Sequence, residues 1–454
     1  MPTGGLIRPP LPPRWAWAIV GLVHGVALFL WGSGEASHDG VDYLSQGRLL
    51  AAWIAGDVGT SPTEVFGRLA LHNPGYSALV ALLEALTGRG ELLVRILQCA
   101  AGIASGFILF AGLRPRLGGP LSIAAAGVLW LHPGMVFFRL SLWPVALATL
   151  GTTALAYWAL TRTLPGNGAP RTTLPRGFGW TLAILPFFAS PALALLPAAW
   201  LLTERDDRRA TFGPTIALWL PWTLALSVAL GSFTAVDLSA SRNLALGNHP
   251  AVAEGRGSLW GDPEAKRSYL KELSSACPGR PGIPTARCEQ EFNTSVAAAT
   301  VRAAPVAAAR RALLRTKETW RPGTFLPRAL RERGVAGAQE TTAILKVVHW
   351  LLLFLGLLGF RTPEGRAALG ACVLWTLPVL VTVGFTRLRQ PTLPFLLIAA
   401  SFGIRSLGRD FPGQSAIIRD LWRRTRTKEL TEVPARISPS PEEDGASRTP
   451  KRST

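Results

Sequence analysis

The sequence predicts an all-α, polytopic integral membrane protein: a bundle of about ten transmembrane helices carrying a large external loop domain. Three observations predict it. Apolar runs approaching the thickness of a bilayer recur along most of the chain. Of 454 residues, 48% are hydrophobic and 17% charged, a balance greasier than the roughly 25% charged share of soluble domains, and mean hydropathy is +0.27. The arginines behind the net charge of +19 sit in short clusters between the runs, where they set topology and meet anionic lipid headgroups. That interspersion argues against nucleic acid as the partner, despite a pI of about 11.1.

Residues 1–14 form a basic, Pro-rich tail. The run RWAWAIVGLVHGVALFLWG, near 15–32, reads as an uncleaved signal anchor, because so many apolar runs follow it, and it leaves the N-terminus cytoplasmic. Further runs fall near 91–113, 120–138, 144–161, 178–189, 191–202, 214–231, 342–360, 367–384 and 392–405. Counted as crossings, they place LRPRLGG, TRTLPGNGAPRTTLPRG, TERDDRRATFGP and RTPEGR on the side of the N-terminal tail, as the positive-inside rule requires. The parts are then an N-terminal transmembrane module, 15–231, with an external catalytic loop at 33–73, an external loop domain at 232–341, C-terminal transmembrane helices at 342–406, and a disordered basic cytoplasmic tail at 407–454. The stretch 74–88 is too short to cross and reads as a re-entrant or surface helix on the outer face. The pair 178–202, broken at Ser190–Pro191, is either two spans or one kinked helix.

Four cysteines divide in two. Cys99 and Cys372 lie within apolar runs and read as small core residues. Cys277 and Cys288 flank PGRPGIPTAR, a spacing that allows a disulfide if the loop faces an oxidising compartment. No CxxC or His cluster suggests a metal site, and no cofactor is called for.

SHDGVDYLSQGRLL, residues 37–50, follows the first apolar run directly. Asp39, Asp42 and Tyr43 then lie where the first helix leaves the bilayer, and solvation of a loop is the plain alternative for either acid. His72 precedes the Pro of GRLALHNPGYSALVAL and serves either as a helix cap or as a substrate contact. Asn248 and His249, in SRNLALGNHP, either shape a loop or bind. An interfacial Arg pair is by default a headgroup anchor, yet Arg387 and Arg389 of TRLRQP fall on the outward side, where positive charge is normally depleted.

In this order the motifs resemble the GT-C superfamily of membrane glycosyltransferases, which includes protein O-mannosyltransferases and the aminoarabinose transferase of lipid A. Its members begin with a helix and an external loop bearing an Asp four residues before an aromatic, matched by Asp39 and Tyr43. They continue with a Pro-containing stretch such as PGY, matched by HNPGY, and close with an Arg-rich turn before a Pro-bearing helix, matched by FTRLRQPTLPFLLIAASFGI. SRNLALGNHP and KETWRPGTF are similar to the start and end of the long external segment of bacterial members. Two positions depart from the pattern: Gly40 stands where relatives carry a second acid, and FFRLSLWP offers Arg139 and Ser141 where some carry another carboxylate.

The resemblance implies a multi-pass enzyme of the inner (plasma) membrane, acting in the cell envelope with its active site on the extracytoplasmic face. It would move a sugar, with inversion, from a polyprenyl-phosphate donor to a protein, lipid or glycan acceptor, using neither a nucleotide sugar nor a metal. Asp39 is then the general base, with Asp42 as a second acid. Tyr43, His72, Arg139, Asn248, His249, Arg387 and Arg389 would contact substrate, the arginines holding the phosphate. The Arg-rich helix VRAAPVAAARRALLRTKETW, with Arg310, Arg311 and Arg315, would anchor the loop domain to the membrane surface or gather anionic lipid. Two other classes stay open: a transporter or flippase of lipid-linked saccharides, and a non-catalytic family member acting as a subunit. Apolar, unrepeated spans speak against the first.

Overall fold

The computed structural model describes residues 12–31, 38–56, 59, 61–162, 176–231, 233–259, 262–279, 283–322, 338–383 and 386–410. Most of the N-terminal tail, and the stretch 411–454 read from sequence as disordered, lie outside the described residues. The chain divides into two units, Met1–Ser406 and Leu407–Thr454, and the site lies in the first. Among the described residues every regular element is helical.

The N-terminal half runs α1 (Arg14–Trp31), α2 (His38–Ile54), α3 (Pro62–Leu69), α4 (Pro74–Thr87), α5 (Gly90–Leu117), α6 (Gly119–Leu131), α7 (Pro133–Leu140), α8 (Val145–Arg162), α9 (Arg176–Phe188), α10 (Leu196–Leu202) and α11 (Arg208–Leu230). The starts follow local chemistry. Ser61 caps α3 by accepting from the Glu64 N–H at 3.2 Å, with Pro62 in the first turn, where a missing N–H costs nothing. Ser190–Pro191 opens a short tight-helical turn, Ser190–Leu195, that separates α9 from α10. Pro74 opens α4 likewise, though Asn73 before it makes no side-chain cap, and Gly88 closes it in the left-handed conformation, φ 65°.

Five described helices are long and apolar enough to cross a membrane: Gly90–Leu117, Arg205–Leu230, Thr342–Arg361, Pro363–Val381 and Arg387–Gly408. The pair α6–α7, bent by 49° at His132, makes a sixth if it is one span. The ten apolar runs of the sequence are helical over most of their described residues, but those at 145–161, 177–188 and 190–201 form shorter helices and the first, in α1, is not among the spans, so the expected count of about ten exceeds the five or six found. Apolar side chains left exposed, such as Ile216, Leu220 and Leu224 on α11, mark the faces that a bilayer would cover.

The core gathers on the last helix. α16 (Ala338–Leu358), α17 (Pro363–Val381) and α19 (Leu393–Asp410), the last preceded by the single turn α18 (Thr386–Arg389), pack with α5 and α6 around Leu109, Leu113, Leu129, Leu396 and Phe402. α19 is the most enclosed of the spans. Its Gly403 and the facing Gly359 let backbone meet backbone: a Cβ on Gly403 would strike the Leu355 carbonyl, and one on Gly359 the Ala399 carbonyl.

Three expectations change. The stretch read as an external catalytic loop, 33–73, is largely helix, because α2 and α3 occupy it. The loop domain likewise folds as α12 (Ser239–Asn248), α13 (Pro263–Ala276), α14 (Ile283–Ala303) and α15 (Pro305–Thr319), packed around Leu246, Leu259, Tyr269 and Leu273 with Cys277 and Cys288 joined as a disulfide. Arg315, expected to face lipid from α15, is instead buried: it donates to the carbonyls of Gly247 at 2.6 Å, Gly257 at 3.2 Å and Leu380 at 2.5 Å. A guanidinium facing three orphan carbonyls is worth more inside than at the surface. Arg310 remains exposed, paired with Glu254 at 3.3 Å.

Candidate functional site

Asp39 lies in the first turn of α2, where a carboxylate favours the positive end of the helix dipole. Tyr43, four residues on, shares its face. The Asp39 carboxylate forms an ion pair with Arg387 of α18, 348 residues away in sequence. Arg387 is fixed from the other side as well, its guanidinium standing over the Trp143 ring at 4.9 Å.

Trp143 reaches this position through a polar clamp on the turn after α7. Gln98, on α5, donates to the Arg139 carbonyl at 3.2 Å and to the Ser141 carbonyl at 2.6 Å, and accepts from the Tyr76 hydroxyl at 2.7 Å. Tyr76 meets Tyr43 edge-on at 4.8 Å, and Tyr43, Tyr76 and Trp143 join one apolar cluster with Leu44, Phe138 and Leu142. The α2–α4 pair and the 141–143 turn, tied together through Gln98, thus set the two halves of the Asp39–Arg387 pair.

The remaining groups come from the α3–α4 turn. His72 lies 3.3 Å from Asp42 and 5.3 Å, ring to ring, from Tyr43. The Tyr43 hydroxyl is hydrogen-bonded to the Asn73 side chain, whose carbonyl oxygen also accepts from the Ser190 N–H at 3.3 Å. Burial drives the Tyr43 phenol upward, so it stays protonated as a donor and packing group. Burial also pushes the Asp39 carboxyl up, but the charge and hydrogen bond of Arg387 reverse this and hold it below the ordinary carboxylate value, with His72 and Lys266 contributing.

Two of these neighbours were not singled out in the sequence. Lys266, on α13, shares its field with Asp39, and burial lowers its ammonium. The Ala265 beside it and Tyr269 pack with Val383, just before α18. Asp237 is buried at 4% exposure. One of its oxygens accepts from the Ser239 backbone at 2.9 Å and from the Ser239 hydroxyl, while the other has no hydrogen-bond partner among the described residues. The Leu238 N–H donates to the Ala70 carbonyl at 2.6 Å, which ties Asp237 to the turn carrying His72. Only the Trp of FFRLSLWP left a sequence signal; Asp237 is a lone acid among apolar residues.

The other expected site residues lie elsewhere. Arg139 is fully buried, donating to the carbonyls of Leu129 at 2.8 Å and Trp130 at 2.9 Å and touching His24. Arg389, two residues from Arg387, points the opposite way and serves the carbonyls of Thr319 at 3.4 Å and Arg321 at 2.5 Å, and His349 at 3.2 Å. Asn248 donates to Leu244 at 3.0 Å and Val381 at 2.8 Å, tying α12 to the end of α17. His249 accepts from the Ala251 N–H at 3.2 Å and packs on Tyr269 at 5.5 Å. Among the described residues no hydrogen bond or ion pair joins these four to Asp39.

What the arrangement can do is limited and definite. It presents a partly buried carboxylate whose ion-pair partner is Arg387, beside an imidazole, a lysine and two further carboxyls. Such a set can take a proton from a hydroxyl and hold an anion.

No protein-family model matches the chain, and no curated protein matches it. Among solved structures the chain is similar to ArnT from Cupriavidus metallidurans bound to undecaprenyl phosphate, at 13% identity over 88% of this chain and 80% of that one, with a TM-score of 0.40, a likeness too loose to carry a conclusion about what this chain does.

Proposed function

We propose that this protein is a membrane glycosyltransferase that moves a sugar from a polyprenyl-phosphate donor to an acceptor hydroxyl, with Asp39 as general base and Arg387 as the group that receives the phosphate. One observation carries this reading: two separate sequence motifs, SHDGVDY and TRLRQP, meet in the Asp39–Arg387 ion pair. Arg387 opens a helix long and apolar enough to cross a membrane, which supports placing the pair near the level of lipid phosphates, where an isoprenoid chain stays in lipid while its sugar reaches water.

The chemistry follows from the charge balance. The acceptor oxygen attacks the anomeric carbon, its proton passes to the Asp39 carboxylate, and the bond from that carbon to the phosphate oxygen breaks, with the electron pair leaving on the phosphate. Displacement in one step inverts the anomeric centre. A phosphate arriving at Arg387 competes with Asp39 for the same guanidinium. With the arginine drawn away, burial is opposed only by the smaller influences of His72 and Lys266, which makes Asp39 a stronger base at the moment one is needed. The disulfide between Cys277 and Cys288 supports placing α12–α15 on the extracytoplasmic side, where such bonds persist.

The test is release of polyprenyl phosphate from a panel of polyprenyl-phosphate sugars by the purified protein in lipid, with Asp39→Asn beside it. Release from one donor is expected, falling about 10²- to 10⁴-fold in the variant while the variant still unfolds cooperatively as a folded protein. Undiminished release by Asp39→Asn would remove the base, and no release from any donor by a folded protein would favour a transporter.

A further inference from the structure

A second cluster of charge lies away from Asp39. A cavity of about 290 Å³ opens between α2, α4 and α5, lined by Arg48, Glu84, Arg89, Glu91, Leu92 and Arg95. Its carboxylates are already committed: Glu91 pairs with the buried Arg95 at 2.9 Å, and Glu84 accepts from the Gly90 N–H at 2.7 Å, leaving its other oxygen 3.8 Å from Arg48. Arg48 is largely exposed, and Arg89, also exposed, has no ion-pair partner among the described residues. Three guanidinium groups therefore face two carboxylates.

Depth and apolar surface say what kind of anion fits. The cleft is built on the first turns of α5, a membrane span, and so lies at the boundary of the hydrocarbon. α4 runs toward the cleft and α5 away from it, packed side by side. Leu86 and then Leu82 on α4, and Leu92 and then Ile96 on α5, are all exposed and stand one helical turn apart within each pair. Two apolar stripes thus lead from the cleft in the same direction. A free anion has no use for them, whereas a lipid's acyl chains do.

We propose that this cleft binds an anionic membrane phospholipid, with the headgroup phosphate between Arg48 and Arg89 and the acyl chains along Leu86–Leu82 and Leu92–Ile96. The site is independent of the Asp39 chemistry.

The experiment is native mass spectrometry of the full-length protein in detergent, titrated with phosphatidylglycerol and separately with phosphatidylcholine. Phosphatidylglycerol is expected to bind about thirtyfold more tightly, the scale of two interfacial arginines. Arg48→Gln/Arg89→Gln together should abolish that preference with lipid-free unfolding unchanged, and Arg89→Gln alone, at an exposed side chain, should weaken it. Equal binding of the two lipids, or a preference that survives both substitutions, would overturn the proposal. So would complete displacement of phosphatidylglycerol by inorganic phosphate, which would mark a site for a free anion.

Discussion

Asp39 is pulled two ways: burial raises its carboxyl, and Arg387 brings it net below its ordinary value of 3.8. The stability this pair contributes is therefore complete above that ordinary value and is lost as pH falls through the lower value of the folded protein. Arg387→Gln removes the largest opposing influence and leaves burial against the smaller ones of His72 and Lys266, so the carboxyl rises. The acid limb of the transfer–pH profile should then move to higher pH in Arg387→Gln, and a profile that stays in place would show that Arg387 does not set the base. Asp237 has the opposite sign. Burial raises it more than the hydrogen bonds from Ser239 and the charge of His72 lower it, so its contribution is complete at low pH and lost as pH rises through the folded value. Asp237→Asn should flatten thermal stability above the ordinary carboxylate range, whereas Asp237→Ala, which also loses the bond to Ser239, should cost about 1 kcal/mol more, read by thermal unfolding at several pH values. The sequence showed Asp39, Tyr43, His72 and Arg387 because each stood in a motif. It could not separate Arg387 from Arg389 or Arg139, since only the fold shows which backbone carbonyls lie beside a guanidinium.

At the scale of elements, helices were legible wherever apolar runs were long. α2 was missed because it is polar for a helix of this bundle and opens on two aspartates with Gly40 between them. Its helicity nonetheless explains the four-residue spacing of Asp39 and Tyr43, which a loop would leave arbitrary. The crossing of α19 over the end of α16 rests on a feature no composition reveals, the Gly403–Gly359 contact. Gly403→Ala would push a methyl into the Leu355 carbonyl and the Gly359 N–H, and should destabilise by about 1 to 3 kcal/mol, measured as a lowered unfolding temperature in detergent. An unchanged unfolding temperature would mean that the helices part without cost.

For the whole molecule, alternation of basic clusters predicts which loops share a side, and the region 233–322 should lie outside the cell. Arg256 is exposed, Cys277 and Cys288 are bonded to each other, and Cys99 and Cys372 are buried, so the native background toward a thiol reagent is low. Arg256→Cys should react with an impermeant thiol reagent on intact cells, and protection there would reverse the orientation. The ten-run reading gave the helical bundle but not its span count, because length and bending at places such as Ser190–Pro191 and His132 depend on packing partners distant in sequence. The Asp39–Arg387 pair has a further consequence, one of timing. Its partners are separated by 348 residues, so during synthesis the ribosome releases Asp39 long before its countercharge exists. A nascent chain carries this carboxylate without its ion-pair partner until α18 has been made, so the pair, and any chemistry that depends on it, forms only after α1 to α17 have been synthesised.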